Sequence, residues 1–419
     1  MFSIRNGFCC AGMAFAHAAA LAQPLSLEDA QRRAVERSRQ LAAQDATTAA
    51  SREMALAAGQ LPDPVLKLGV DNLPVTGADQ FSLGRDFMTM RRIGVMQELT
   101  RSEKRQLRTQ RFDREAEKSA AEKAAATASI QRDTALAWLD RYYVEALAGV
   151  VAEQKKQVEL EVAAVEAAYR GGRTNQADVF AANATLVALE DRASELRRRT
   201  QTATIILARW IGDGADAPLA PRPPLDSIRL DAGALEAELA HHPQIAILAK
   251  QEEIAATEAR LAQASSTPDW SVEVAYQQRG PAYSNMVSFG VSIPLPWDRA
   301  NRQDREIASK LALAEHARAQ REETLRAHIA EVRAMIAEWQ NGRERLARYE
   351  RQLVPLARQR AEAALAGYRG GKTSIADLLL ARRNETEVRM QAVQIEMESA
   401  RLWAQLNFLI PDTHPGTGK

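Results

Sequence analysis

Two acidic residues occupy the same local setting at two places in this chain. Asp178 follows Tyr169-Arg170-Gly171-Gly172-Arg173-Thr174, and Asp377 follows Tyr368-Arg369-Gly370-Gly371-Lys372-Thr373. The paired glycines accept positive dihedral angles, so each pair ends one helix and lets the chain double back. Thr174, and Thr373 or Ser374, are candidate caps for the helix that follows, and a carboxylate one turn inside that helix is favoured by the positive end of its dipole. Metal-binding chemistry is available in Met88, Met90 and Met96 and in His241-His242, since thioethers suit monovalent copper and imidazoles suit several metals. Yet Met88-Thr89-Met90 falls in or beside a strand or loop, and adjacent histidines ahead of Pro243 lack chelating helical spacing. Packing and a helix-to-loop boundary are the expected roles, and no metal site is assigned. No Gly-rich phosphate loop, zinc-spaced Cys or His set, or nucleophile elbow occurs, so the expectation is no catalytic residue, no cofactor and no enzyme.

The composition narrows the class further. Among 419 residues, 55 basic and 54 acidic side chains nearly cancel, which argues against a nucleic-acid partner. Arg5, the apolar run through Phe8, Met13, Phe15 and Ala18, and Ala20-Leu21-Ala22 before Gln23 have the layout of a secretory signal. Cys9 and Cys10, the only cysteines, lie within it, so cleavage would leave a chain without thiol chemistry. Lipidation at one of them is the competing reading, against which Asn6-Gly7-Phe8 lacks the usual small apolar approach. Beyond the signal no apolar run is long enough to cross a bilayer as a helix, so any membrane passage must use strands.

The elements that carry the two acids are arranged as a duplication. The Tyr-Arg-Gly-Gly turns correspond and continue to Ala177-Asp178 and Ala376-Asp377; upstream, Pro62-Asp63 matches Pro268-Asp269, and Ile93-Gly94-Val95 matches Phe289-Gly290-Val291. The expected division is a signal peptide at 1–22, a first repeat at 23–217, a Pro-rich linker at 218–229, a second repeat at 230–411 and a flexible tail at 412–419. Each repeat reads as a helix, two short extended runs, a long helix, the glycine turn and another helix. Trp270, Val272, Val274 and Tyr276 alternate with polar or small residues, as do Val287, Phe289, Val291 and Ile293. Leu66, Leu68 and Val70 do so in the first repeat, with a weaker echo at Ile93 and Val95.

The long helices carry coiled-coil stripes. One runs through Leu136, Leu139, Tyr143, Leu147, Val150, Val158, Val162, Val165 and Tyr169, and another through Val332, Trp339, Leu346 and Leu353 with Ile329 and Ile336 beside it. From Arg101 to about Tyr169 almost no Gly or Pro intervenes, which predicts a helix on the order of 100 Å long. Pro355 predicts a bend or local break in the second. The fold class is mainly α with a small β part. Four strands cannot close alone in hydrocarbon, where an open edge leaves backbone amides unpaired, so strands must be pooled across copies: two copies give eight, three give twelve. Aromatics such as Phe81, Trp270, Tyr276, Tyr283 and Trp297 near the strands suit an interfacial belt. The alternative is a soluble periplasmic coiled-coil scaffold or adaptor-like protein, with the apolar strand faces packed against helices.

The signal segment, the duplicated order of elements, and the Tyr-x-Gly-Gly-Arg/Lys-Thr turn followed by Asp resemble the TolC family of outer-membrane efflux proteins. Leu61-Pro62-Asp63-Pro64, Asp71-Asn72-Leu73-Pro74 and Ile293-Pro294-Leu295-Pro296-Trp297 resemble its heavy-metal branch, the CzcC and CusC type. The resemblance implies a homotrimer with a twelve-stranded barrel in the outer membrane and a long coiled-coil helical barrel in the periplasm. It implies a periplasmic adaptor and an inner-membrane proton-driven transporter as partners, and a passive export duct for small solutes, heavy-metal cations in particular. Ducts for drugs or secreted proteins are the alternatives within the family. The hairpin ends Gly171, Gly172, Arg173 and Thr174, and Gly370, Gly371, Lys372 and Thr373, would meet the adaptor. Asp377 matches an acid that rings the closed entrance, and Asp178 is its counterpart in the first repeat. Leu380 stands where a second ring acid is found, which makes the constriction partly apolar.

Overall fold

The computed structural model describes residues 24–231 and 233–411. The expected signal segment with Cys9 and Cys10, and the tail at 412–419, lie outside the described residues. The first repeat runs through α1 (Leu27–Arg37), α2 (Arg39–Ala58), β1 (Val65–Asp71), β2 (Met90–Leu99), α3 (Ser102–Arg170) and α4 (Gln176–Ile211). The second runs through α5 (Leu235–Ala240), α6 (Pro243–Ser265), β3 (Trp270–Gln278), β4 (Met286–Ser292), α7 (Gln303–Arg348), α8 (Val354–Arg369) and α9 (Ile375–Asn407). Each repeat therefore opens with two helices where the sequence pattern suggested one. In the first, Ser38 is extended: its amide bonds back to the Val35 carbonyl and its hydroxyl accepts from the Leu41 amide, ending α1 and capping α2 in one residue. In the second, Pro243 cannot continue α5 and instead begins α6.

The four strands form one antiparallel sheet in the order β1-β2-β3-β4, so the two hairpins join through β2 and β3. The registers place Leu68 opposite Ile93, Ile93 opposite Tyr276, and Val274 opposite Phe289, all on one face. That face is uncovered: Leu68 is 70% and Phe289 81% exposed. Among the described residues no helix packs against it. On the opposite face, Asp269 ties the sheet to the helices. Its carboxylate accepts from the Arg101 amide at 3.1 Å and from Lys104 at 2.8 Å, fixing the start of α3 beside the start of β3.

α3 is a single helix of 69 residues, about 100 Å long. Leu139, Tyr143, Leu147, Val151, Val158, Val162 and Val165 are buried along it. The seam takes Val151 where the sequence stripe took Val150, which is half-buried. Along α7, Val332, Ile336 and Trp339 are buried, but Leu353 is exposed. A π turn over Tyr349–Leu353 separates α7 from α8, and its extra residue rotates the heptad out of phase, turning Leu353 outward and bringing in Ala357 and Ala361. The break expected at Pro355 thus falls one turn earlier, where the missing proline N–H would otherwise interrupt the helix ladder.

One core joins the two repeats. Trp138, fully buried on α3, lies in a cluster with Leu207 of α4, Leu235 of α5, Trp339 of α7 and Trp403 of α9. Its indole N–H donates to the Leu25 carbonyl at 3.0 Å, and Trp403 donates to the Ser227 carbonyl at 2.9 Å, so this one core holds two stretches of irregular backbone. Trp138→Ala should lower unfolding stability in detergent by about 3–5 kcal/mol, through lost burial and an orphaned carbonyl; a heat-unfolding midpoint equal to wild type would show that this core does not bind the repeats together.

Candidate functional site

The two glycine turns are built alike. In the first, the amides of Gly171, Gly172 and Arg173 return to the carbonyls of Ala167, Tyr169 and Ala168; in the second, Gly370, Gly371 and Lys372 return to Ala366, Tyr368 and Gly367. Gly172 at φ +69° and Gly371 at φ +67° take the left-handed conformation that closes each helix end. The first cap differs from the expected Thr174, and at the second turn Ser374 takes the role left open between it and Thr373. Asn175 caps α4, its side chain accepting from the Asp178 amide at 3.0 Å, and Ser374 caps α9, accepting from the Asp377 amide at 3.1 Å. Thr174 donates instead to the Asp178 carboxylate, and the Thr373 hydroxyl fills the space where a side chain at Gly367 would sit. Each aspartate is the third residue of its helix, bonded to the capping motif and placed at the positive end of the dipole.

The two hairpins are brought side by side by a compact apolar cluster. Val158, Val162 and Val165 of α3 and Ala182 of α4 pack with Ile375, Leu378 and Leu379 of α9. Asp178 is half-buried in this arrangement, close enough to Tyr368 that burial and the Asp178 charge raise the phenol, with Arg173 opposing. Asp377 is exposed, and Leu380, one turn on and 58% exposed, shares its side of α9. Gly171, Gly172, Arg173, Gly370, Gly371 and Lys372 are exposed at the two ends, and Thr174 and Thr373 are half-buried beneath them.

The sequence reading missed an ion triad just behind these acids. Arg382 on α9 bonds Glu161 on α3 at 3.0 Å and Glu385 at 3.1 Å, and all three side chains are nearly buried. Two carboxylates share one guanidinium, and the second oxygen of Glu161 is buried without a partner. Burial raises the Glu161 carboxyl above its ordinary value, with Arg382 working the other way. A legible signal existed: Glu161 sits beside the stripe positions Val158, Val162 and Val165, where a charge needs a buried partner. The metal-capable residues stay apart. Met88 is exposed in the β1–β2 loop, while Met90 and Met96 lie half-buried on β2. His241 ends α5, and His242 caps α6 with its Nδ1 accepting from the Gln244 amide at 3.2 Å. Burial, helped by the edge-on ring of His328, lowers His242 to about 4, so it is neutral at ordinary pH. Among the described residues, no three His, Cys, Asp or Glu side chains gather as metal ligands.

A four-stranded sheet bare on its apolar face, attached to long helices that end in paired hairpins, defines the fold. Residues 234–410 match the family model described as outer membrane efflux protein. Among solved structures, the outer-membrane channel OprN superposes with a TM-score of 0.77 at 19% identity, covering 92% of this chain and 90% of that one. The outer membrane protein VceC from Vibrio cholerae gives 0.75 at 22% identity over 91% and 95%. CusC, a transmembrane channel, gives 0.78 at 15% identity over 92% of each. No curated protein matches the sequence significantly. The second repeat therefore resembles the outer membrane efflux protein family, and the chain as a whole shares the fold of these outer-membrane channels.

Arg382→Ala leaves two buried carboxylates facing each other and should cost about 3 kcal/mol in local stability, read as lost hydrogen-exchange protection in α9. Glu161 binds its proton more readily folded than unfolded. Its contribution therefore grows as pH falls from its raised folded value toward the ordinary 4.5, and is absent above that window. Protection factors at the α3–α9 contact should rise over that interval, and Glu161→Gln should abolish the rise; an identical pH profile in both proteins would remove Glu161 from this linkage.

Proposed function

We propose that three copies of the chain close their sheets into one twelve-stranded barrel in the outer membrane and their helices into a periplasmic tunnel, forming a passive duct served by a periplasmic adaptor and an inner-membrane proton-driven transporter. The observation that carries this reading is the four-stranded sheet itself. Its apolar face is bare, and β1 and β4 each have one edge without a partner among the described residues. Strands of 7 to 10 residues, tilted about 40°, rise about 18–25 Å, and exposed Ile293, Leu295 and Trp297 extend the apolar band toward the usual 25 Å. Export implies a signal at 1–22, and the repeat division at 218–229 fits a duplicated half-unit.

In this duct the hairpin ends point to the adaptor, with Arg173, Thr174, Lys372 and Thr373 as its contacts around the glycine turns. Asp377 and Leu380 line the closed entrance, three of each around the axis, with Asp178 behind them holding the first hairpin. Heavy-metal cations are the proposed cargo, on the resemblance of the Leu-Pro-Asp-Pro and Ile-Pro-Leu-Pro-Trp segments; cargo choice rests mainly with the transporter. A passive duct calls for no tight ion site, because an ion that binds strongly does not leave.

Unheated gel electrophoresis and planar-bilayer conductance test the duct: a trimer-sized, outer-membrane species with discrete conductance steps is expected, and a soluble periplasmic monomer would return the scaffold reading. A deletion strain should become sensitive to metal salts; sensitivity confined to drugs would replace the cargo. Asp377→Ala should weaken block by multivalent cations from the periplasmic side about tenfold, and unchanged block would remove Asp377 from the entrance. Replacing Gly172 and Gly371 by Val forces a branched side chain into the left-handed region, and full efflux in the double variant would contradict a role for the turns in adaptor contact.

A further inference from the structure

The face of the sheet opposite the apolar one carries a connected set of charges. Lys67 on β1 bonds Glu273 on β3 at 2.6 Å, reaching across β2. Arg92 on β2 approaches the other Glu273 oxygen at 3.4 Å and Asp71 on β1 at 3.4 Å. The path is open because small residues stand between them: Lys67 is opposite Gly94, Arg92 is opposite Gly69, and Gly94 is opposite Ala275. Gly94 has no room for more, since a Cβ there would lie 2.8 Å from that of Ala275. The charged side chains therefore lie along the wall and not out from it. Two cations and two acids cancel within this set. The remaining acid of the face, Glu98, sits at the helix end of β2 beside Thr100.

We propose that Glu273 sets the charge, and with it the ion selectivity, of the barrel lumen. It is the one acid that answers both cations, so without it Lys67 loses its partner and the wall of each protomer becomes one charge more positive toward the permeating solute. The inference rests on the barrel reading above, which turns this face inward. A twelve-stranded barrel is about 24 Å across at the backbone, so wall charges stand within about 12 Å of the axis. That is close to the screening length of about 10 Å at 0.1 M salt and far beyond the 3 Å at 1 M. Charge balance on this wall thus matters to passing ions at ordinary ionic strength. A wall whose two cations are both answered by acids lets cations arriving from the Asp377 entrance pass without being repelled.

The test is the reversal potential of the purified full-length protein in planar bilayers under a tenfold KCl gradient near 0.1 M. Glu273→Gln should raise the chloride-to-potassium permeability ratio at least about twofold, and Lys67→Gln should lower it by a similar factor. The exchanged pair Lys67→Glu with Glu273→Lys keeps the balance and should return the wild-type ratio, separating charge from folding damage. All shifts should vanish in molar salt. Conductance with an unmoved ratio in both single variants overturns the lumen assignment alone. A wild-type protein that gives no conductance overturns the duct reading, and this inference with it.

Discussion

Backbone hydrogen bonds at the edges of a sheet cannot go unmade in hydrocarbon, where each lost partner costs several kcal/mol. Among the described residues this chain has a sheet with an apolar face and two open edges, β1 and β4, and no helix covers either feature. The rest of the molecule follows from that. In the proposed barrel the sheet is completed by other copies, and the helices that leave it run side by side around a shared axis. Asp269, holding the first turn of α3 to the foot of β3, transmits the sheet's placement to the helical body.

The helical body then has to be long and smooth. Ala-rich seams let α3 run unbroken for 69 residues, and the core around Trp138 locks the two repeats into one wall. At the far end both long segments must turn back, and left-handed Gly172 and Gly371 do this in the same way. The chemistry of the site is consequently sparse: capped acids, exposed basic residues and a buried ion triad. In the proposed duct these groups serve positioning and passage.

Much of this was legible in the sequence because it rests on period and composition. The Gly-Gly turns, alternating strands and uninterrupted helix are local patterns that tertiary contacts did not override. The departures have local physical causes. Asn175 caps in place of Thr174 because it directly precedes the helix, as Ser374 does in the second repeat, which leaves Thr174 free to bond Asp178. The π turn before Pro355 shifts the heptad by one residue, so Leu353 reads as seam but faces out. The Glu161–Arg382 pair joins residues 221 apart in sequence, and the Lys67–Glu273 pair spans 206. No periodicity connects such distances; only the duplication's close packing brings them together.

The pairing of β1 with β4 between copies is the central claim, and disulfide trapping reads it most directly. If the signal segment is removed, no native cysteine remains to confuse the result. Within one chain the two edge strands are three strand spacings apart, about 14 Å, beyond the reach of an internal disulfide. A variant with one cysteine on β1 and one on β4, scanned over register in native outer membranes, should give a covalent ladder that stops at the trimer. Monomers at every register, or a ladder continuing past three, would contradict a barrel closed by three copies.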